Sequence, residues 1–353
     1  MQIFIFNLET NLDSKVLSAA HDWVESFAKN FEEVYVYSTH VGRLDLPPNV
    51  RVTEIGGGNF QNRLIALLRL SEAFVKIFVR RENSVVFHHM SPRTALLLGP
   101  FLRIIGVTQG LWYSHNHASQ SLRLAKPFVN WIFSSTRQAL PIQSRKTQFV
   151  GHGIKTERFR KADISKQRKR QSIISVGRIV PVKHLEDLAE ISVLARISEF
   201  EVGPITLVGP QPDLRYIKNL ESIFAEHELK FFIKPAVNYE QILGYLESHD
   251  FFFTGTPKSV DKAAIEAAIA GCFVVSTNIS TLESTGMSEV WKLVGCVPPE
   301  RISDQILAIS KIDENEILVL RQALQLAAIS RNELNKTISA ISKTLIGDSA
   351  NLG

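Results

Sequence analysis

The chain has 353 residues, 45% hydrophobic and 21% charged, with a formal net charge of +5. Such a length supports two domains of ordinary size, each with its own core, and the composition indicates a soluble globular protein. No run of about 18 apolar residues is present to span a bilayer, and two cysteines, Cys272 and Cys296, offer neither a disulfide framework nor a zinc spacing.

The start, MQIFIFNLETNLDSK, lacks a basic leader region and turns polar after six residues, so it reads as a first strand rather than a signal peptide. With the low cysteine content this predicts a cytoplasmic location. Charge is unevenly placed: residues 1–160 contain 19 Lys+Arg and 11 Asp+Glu, net +8, and the remainder has 40 − 19 = 21 and 35 − 11 = 24, net −3. A basic first half suits an anionic partner, such as a membrane surface or a phosphorylated acceptor, and equally a solvated basic face.

In the first half, strands are predicted at Gln2–Phe6, Glu33–Ser38, Val50–Ile55, Ser84–His88, Thr108–Tyr113, Trp131–Ser134 and Thr147–Val150. Helices are predicted between them at Ser14–Asn30, Gln61–Arg81, Pro92–Ile105 and Ser119–Lys126. This alternation implies a doubly wound parallel sheet. The helix over Gln61–Arg81 is amphipathic and carries Arg63, Arg69, Lys76, Arg80 and Arg81. It suits a helix lying on anionic lipid and, as well, a core-packing helix with a basic outer face.

The polar, basic segment Lys155–Gln171 reads as a linker. A second alternating series follows: strand Ser172–Val176, helix His184–Ile197, strand Ile205–Val208, helix Asp213–Glu228, strand Lys230–Lys234 and helix Tyr239–Ser248. Strand Phe251–Phe253, helix Lys262–Ala270 and strand Phe273–Ser276 continue it. Strand Trp291–Val294 and helices over Pro299–Ser310 and Glu314–Ile346 close it. Two Rossmann-like α/β domains facing a central cleft are expected, with no solenoid repeat or low-complexity tract.

Ligands of such sheets gather at the carboxyl ends of strands, near helix amino termini. In DFFFTGTPKSVDKAAIEAAIAGCFVVST (Asp250–Thr277) the loop Thr254–Asp261 lies where a phosphate would sit. Glu266, one turn into the following helix, is placed to accept hydrogen bonds from a pair of sugar hydroxyls, although a Glu early in a helix is favourable without any ligand. In SVGRIVPVKHLEDL (Ser175–Leu188) a buried strand ends at Gly177, where a ligand can approach backbone. Arg178 and Lys183 there suit a pyrophosphate, Arg as a planar fork and Lys as a point charge; the plainer alternative is a pair of solvated cations. ITLVGPQPDLRYIKNLE (Ile205–Glu221) repeats the device at Gly209, which is also an ordinary turn residue.

GLWYSHNHAS (Gly110–Ser119) places His115 and His117 just past a strand end. A His-x-His pair with His88, His89 or His152 has the makings of a metal site, but no carboxylate of matching spacing accompanies it, and no metal is expected. The chain has no Asp-x-Asp, no Walker loop and no Gly-x-Gly-x-x-Gly fingerprint, which argues against metal-held phosphates, ATPase activity and ordinary dinucleotide binding.

Taken together, FVGHGIKTERF (Phe149–Phe159), SVGRIVPVKHLEDL, ITLVGPQPD and KAAIEAAIAGCFVVST resemble the ordered landmarks of family-4 retaining glycosyltransferases of the GT-B fold. VVFHHMSPRTALLLGPFLRIIGVTQGLWYSH is similar to a bacterial and archaeal cell-envelope subgroup of that family. The resemblance covers nearly the entire chain. It implies an acceptor-binding domain over 1–160, a nucleotide-sugar-binding domain over 161–330, and a final helix over 331–353 crossing back to the first domain. It implies transfer of a sugar, with retention and without metal or other cofactor, from a nucleoside-diphosphate sugar to a glycan or lipid-linked acceptor. A peripheral position at the inner face of the plasma membrane, and no nucleic-acid partner, go with it.

By position, Arg178 and Lys183 match the cationic pair on the donor diphosphate, Glu266 the glutamate that binds the ribose hydroxyls, and His115 the histidine beside the transferred sugar. Gly177 and Gly209 fall in donor-side loops. Two departures are visible. The family's first glutamate, eight positions before the second, is replaced by Lys258, and an ammonium cannot accept hydrogen bonds from a donor sugar. Asp261 or the backbone amides of Ser259–Lys262 are the candidate substitutes, with Lys258 and Lys262 as further phosphate contacts. The first loop, Asn7–Ser14, lacks the glycine-rich turn that often approaches the acceptor. A degenerate nucleotide-binding scaffold, or a sugar-nucleotide epimerase or hydrolase on the same fold, are the rival readings.

Overall fold

A computed structural model describes residues 1–14, 18–56, 60–115, 117–197, 200, 202–257 and 259–350. The chain divides into two compact units, Met1–Lys155 with Glu333–Gly353, and Thr156–Asn332.

The first unit contains β1 (Gln2–Thr10), α1 (Ser18–Phe27), β2 (Glu33–Val41), β3 (Val50–Glu54), α2 (Phe60–Val79), β4 (Ser84–His89) and α3 (Pro92–Ile104). It continues with β5 (Thr108–Trp112), α4 (Gln120–Ala125), β6 (Trp131–Ser134) and β7 (Thr147–Phe149). The seven strands run parallel in the order β3-β2-β1-β4-β5-β6-β7, so the winding reverses between β1 and β4. Alternation along β1 explains the layering. Ile3 and Ile5 pack on one face with Trp23, Phe27 and Phe87, while Phe4 and Phe6 pack on the other with Leu70, Ala73 and Ile77 of α2.

The second unit contains α5 (Glu157–Arg160), β8 (Lys169–Val176), a 3-10 stretch over Leu185–Ile191, α6 (Ser192–Ile197), β9 (Ile205–Val208), α7 (Leu214–Glu226), β10 (Phe231–Lys234) and α8 (Tyr239–Glu247). There follow β11 (His249–Phe253), α9 (Lys262–Ile269), β12 (Phe273–Val275), α10 (Ile279–Thr285), α11 (Met287–Val294), α12 (Ile302–Ser310) and α13 (Glu314–Asn332). Its five parallel strands are ordered β10-β9-β8-β11-β12, with the winding reversed between β8 and β11. Phe251, Phe252 and Phe253 are all buried, as a parallel strand covered on both faces requires.

The last helix, α14 (Leu334–Ala350), belongs to the first unit, where Leu334, Ile338, Ile341 and Leu345 join the core with Trp23 and Phe87. The single helix expected over Glu314–Ile346 is therefore two. They part at Glu333, which pairs with Ile154 while Asn332 donates to the carbonyl oxygens of Ser284 and Ala328.

Three further expectations are corrected. Trp291–Val294 is helix, not strand: Met287, Val290 and Trp291 are buried at helical spacing, and Gly286 and Gly295, both left-handed, bound the segment. The helix expected over His184–Ile197 begins as a 3-10 stretch and turns α-helical only at Ser192. The supposed linker Lys155–Gln171 holds α5 and the start of strand β8, with Phe159 and Ala162 buried. Its charge misled the pattern: Arg168 donates to the carbonyl oxygens of Leu246, His249 and Ala270 at 2.8, 2.8 and 2.7 Å.

Candidate functional site

At the carboxyl ends of β8, β9 and β11 three glycines let neighbouring groups approach closely. Gly177 follows β8 with φ +120°, and a Cβ there would lie 2.6 Å from Nζ of Lys183. Gly209 follows β9 with φ +153°, and a Cβ there would sit 2.0 Å from the carbonyl oxygen of Gly177. Gly255 follows β11, and a Cβ there would meet the carbonyl oxygen of Lys183 at 2.7 Å. Both positive-φ positions disfavour other residues, and all three let neighbouring backbone close in.

Lys183 ends a 3-10 turn over Pro181–Lys183, and His184 then takes the left-handed conformation, φ 48° and ψ 48°, to redirect the chain. The Lys183 carbonyl accepts from the Gly255 N–H at 3.1 Å. The Lys183 side chain is 12% exposed, and its ammonium donates to the carbonyl oxygen of Val176 at 2.7 Å and pairs with Oδ2 of Asp261 at 2.8 Å. Asp261 caps α9: Oδ1 accepts the Ala263 N–H at 3.2 Å, and Thr254 donates to Oδ2 at 3.4 Å. Lys183 is thus a positioned cation at a helix amino terminus, next to side-chain-free backbone. That combination attracts phosphate oxygens.

Glu266 lies on the same helix. Part of the residue reaches solvent, yet burial pushes its carboxyl up to about 7; Asp261 raises it further, while Lys262, Arg158 and Lys183 oppose the rise. A carboxyl poised there can either accept two hydroxyl hydrogen bonds when ionised or donate one when protonated. Lys262, exposed, opens α9. Ser259 directs its N–H to the carbonyl oxygen of Pro257 at 2.7 Å, so of the amides proposed for the donor sugar this one is already engaged. Arg178 is exposed just beyond Gly177, and Lys258 lies outside the described residues.

His115 belongs to the first unit, exposed beyond the carboxyl end of β5, with Nδ1 accepting the His117 N–H at 3.1 Å. His88 is fully buried, shares a hydrogen bond with Thr94 at 2.9 Å, and is pushed down to about 3 by burial, which keeps it neutral. Among the described residues no group of three or more His, Cys, Asp or Glu could hold a metal ion. The first loop, which lacks glycine, is tied by Arg43, whose Nε and Nη2 donate to the two carboxylate oxygens of Asp13 at 2.8 Å each.

Two residues of the second unit escaped the sequence reading. Gly255 was passed over as part of a loop, although a glycine two residues past a buried strand is the same signal as Gly177 and Gly209. Asn278 caps α10 and donates to the carbonyl oxygens of Thr256 and Ser259 at 2.9 and 3.0 Å, bracing the loop before α9. Its role had no local signal beyond capping chemistry.

No protein-family model and no curated protein matches this chain. Among solved structures it is similar to Anabaena Alr3699/HepE in complex with UDP and glucose, at 15% identity and TM-score 0.69 over 98% of this chain and 100% of that one. It is also similar to sucrose-phosphate synthase from Thermosynechococcus elongatus, at 13% identity and TM-score 0.71 over 99% and 100%. A third similar structure is the apo form of the lipopolysaccharide outer core galactosyltransferase WaaB, at 10% identity and TM-score 0.68 over 98% and 99%. At these identities the likeness establishes the fold: α/β, with two parallel-sheet units of the GT-B type spanning nearly the whole chain.

Proposed function

We propose that this chain is a metal-independent, retaining glycosyltransferase of family 4 that moves a sugar from a nucleoside-diphosphate sugar to a glycan or lipid-linked acceptor in cell-envelope polysaccharide synthesis. The second unit binds the donor and the first the acceptor. The observation that carries the reading is the Lys183 ammonium, held by Asp261 and Val176 beside Gly177 at the amino end of α9. Arg178 and Lys183 take the diphosphate, Gly177 and Gly209 give it room, Lys262 adds positive charge, and Glu266 accepts the ribose hydroxyls. His115 lies beside the transferred sugar. UDP, present in the similar Anabaena structure, is the first nucleotide to test.

Little side-chain chemistry is then required. The acceptor oxygen bonds to the anomeric carbon as the bond from that carbon to the diphosphate breaks, the acceptor's proton passes to the departing diphosphate, and Arg178 and Lys183 stabilise the charge that forms there. The test is thermal stabilisation by a panel of nucleoside diphosphates and their sugar conjugates, with and without EDTA, in wild type and Glu266→Ala. A shift for one nucleotide that persists in EDTA and is lost in the variant is expected. No shift with any of them would overturn the donor site.

One observation favours a second reading, a nucleotide-binding scaffold without transfer. Asp261, the candidate stand-in for the missing first glutamate, already accepts from Ala263, Lys183 and Thr254. Nucleotide binding without turnover of any donor and acceptor pair would support that reading.

A further inference from the structure

We propose that the outer face of α2 and α3 is a docking surface for an anionic lipid bilayer. The inner face of α2 is apolar for the usual reason, since Leu70, Ala73 and Ile77 are buried against the first sheet. A helix packed this way should be polar outside. Instead Leu64, Leu68, Val75 and Phe78 form a second apolar stripe, 54, 64, 58 and 45% exposed. On α3, Phe101 and Ile104 are 56 and 82% exposed. Phe74 joins the two faces, its ring centroid 6.4 Å from Phe78 and 6.0 Å from Phe101. An apolar face spread over two neighbouring helices marks an interaction site rather than scattered surface residues.

The charges around it choose the partner. Residues 60–105 carry seven Lys+Arg against two Asp+Glu. Arg69 and Lys76 recur along the flank of α2, and the Arg81 guanidinium sits 5.4 Å over the Phe78 ring at the edge of the stripe. On the α3 side, Lys126 and exposed Arg103 both act on Lys146: burial first, then Arg103 and Lys126, hold it below the ordinary lysine range. Arg80 is committed to Glu33 at 3.2 Å and to the Tyr35 hydroxyl, whereas Arg81 meets exposed Glu82 at a loose 3.9 Å, so Arg69, Arg81 and Arg103 are the residues assigned to lipid phosphates. An apolar face rimmed by cations fits insertion at the level of anionic headgroups. A second copy fits poorly, because a two-fold interface would set this cationic rim against itself. Among the described residues no helix is long and apolar enough to cross a membrane.

This surface rests on the lipid-linked acceptor of the proposed function, and its test uses no sugar nucleotide. The full chain is floated with vesicles of phosphatidylcholine alone and of equal parts phosphatidylcholine and phosphatidylglycerol. Binding to the anionic vesicles at least about tenfold above the neutral ones is expected, falling with salt. Leu68→Ser with Ile104→Ser should cut the partition by about tenfold or more, and Arg69→Ser with Arg103→Ser should remove the preference for anionic lipid. All four side chains are exposed, so the melting temperature should hold. Equal binding by the Leu68→Ser, Ile104→Ser variant would overturn the surface. So would a wild type that ignores vesicles but sediments as a dimer that the same substitutions dissociate. Nucleotide stabilisation measured on the same variants separates failure of this surface from failure of the donor site.

Discussion

Nζ of Lys183 lies 2.8 Å from Oδ2 of Asp261, which joins the turn after β8 to the cap of α9. The cation is therefore set in place before any ligand arrives. Because both side chains are largely buried, at 12 and 15% exposure, the pair is worth more than a surface ion pair. Asp261→Ala should lower the stability of the second unit by about 2–3 kcal/mol, combining the lost cap with a stranded ammonium. A double-mutant cycle with Lys183→Met, read by thermal unfolding, should give a coupling of about 1–3 kcal/mol. Additive effects would mean that the pair does not hold in solution.

Replacing Lys183 or Arg178 by Ala should collapse turnover. Lys183→Ala should also abolish stabilisation by a nucleoside diphosphate while sparing that by the bare nucleoside. Parallel melting curves with the two ligands check this. Retention of most activity in either variant would remove it from the diphosphate site.

Glu266 carries a pH signature. Its folded pKa, about 7, stands above the ordinary 4.5, so between those values the folded state holds a proton that the unfolded state has lost. Its stabilising effect is complete below about pH 4.5 and is lost as the pH rises through 7, amounting to about 3 kcal/mol. Glu266→Gln should flatten this slope in melting temperature against pH. Nucleotide binding should run the other way, tightening as the pH rises through 7, because ribose hydroxyls donate to the ionised carboxylate. Titration calorimetry at several pH values on wild type and the Gln variant reads both.

The glycines divide into two kinds. Gly209→Ala would drive a methyl onto the Gly177 carbonyl and should cost more than about 3 kcal/mol, or prevent folding of the second unit. Gly244, inside α8, has open space where a Cβ would go, so Gly244→Ala should stabilise by about 0.5–1 kcal/mol. Chemical denaturation of the two variants side by side provides the measurement.

Ending the chain at Asn332 would strip Ile338, Ile341 and Leu345 from the core of the first unit while leaving the second unit's contacts in place. The truncated protein should lose its first unit to limited proteolysis and retain a protease-resistant fragment near Thr156–Asn332. Resistance of both units would show that α14 contributes little to the fold.

Much of the architecture was legible because its causes are local. The runs Phe251–Phe253 and Ile205–Val208, rich in aromatic and β-branched residues and followed by glycine-bearing loops, read as buried strands, the glycines after β8 and β9 mark the strand ends, and amphipathic spacing announces α2 and α7. The segment around Trp291 was misread because a short apolar run suits strand or helix until its flanking glycines are seen to take left-handed conformations. The stretch before β8 was misread because charge ordinarily means solvent, whereas Arg168 spends its guanidinium on buried-edge carbonyls.

What the amino-acid sequence determined by itself was therefore the succession of elements, the parallel winding and the chemical types gathered at the strand ends, since periodicity and turn chemistry act over a few residues. Only the tertiary structure decided that Lys183 pairs with Asp261, that Gly209 must lack a side chain because Gly177 lies against it, and that Glu266 titrates near 7. It also decided that the second apolar stripe of α2 stays uncovered. These depend on contact and desolvation between segments far apart in the chain, which no local pattern encodes.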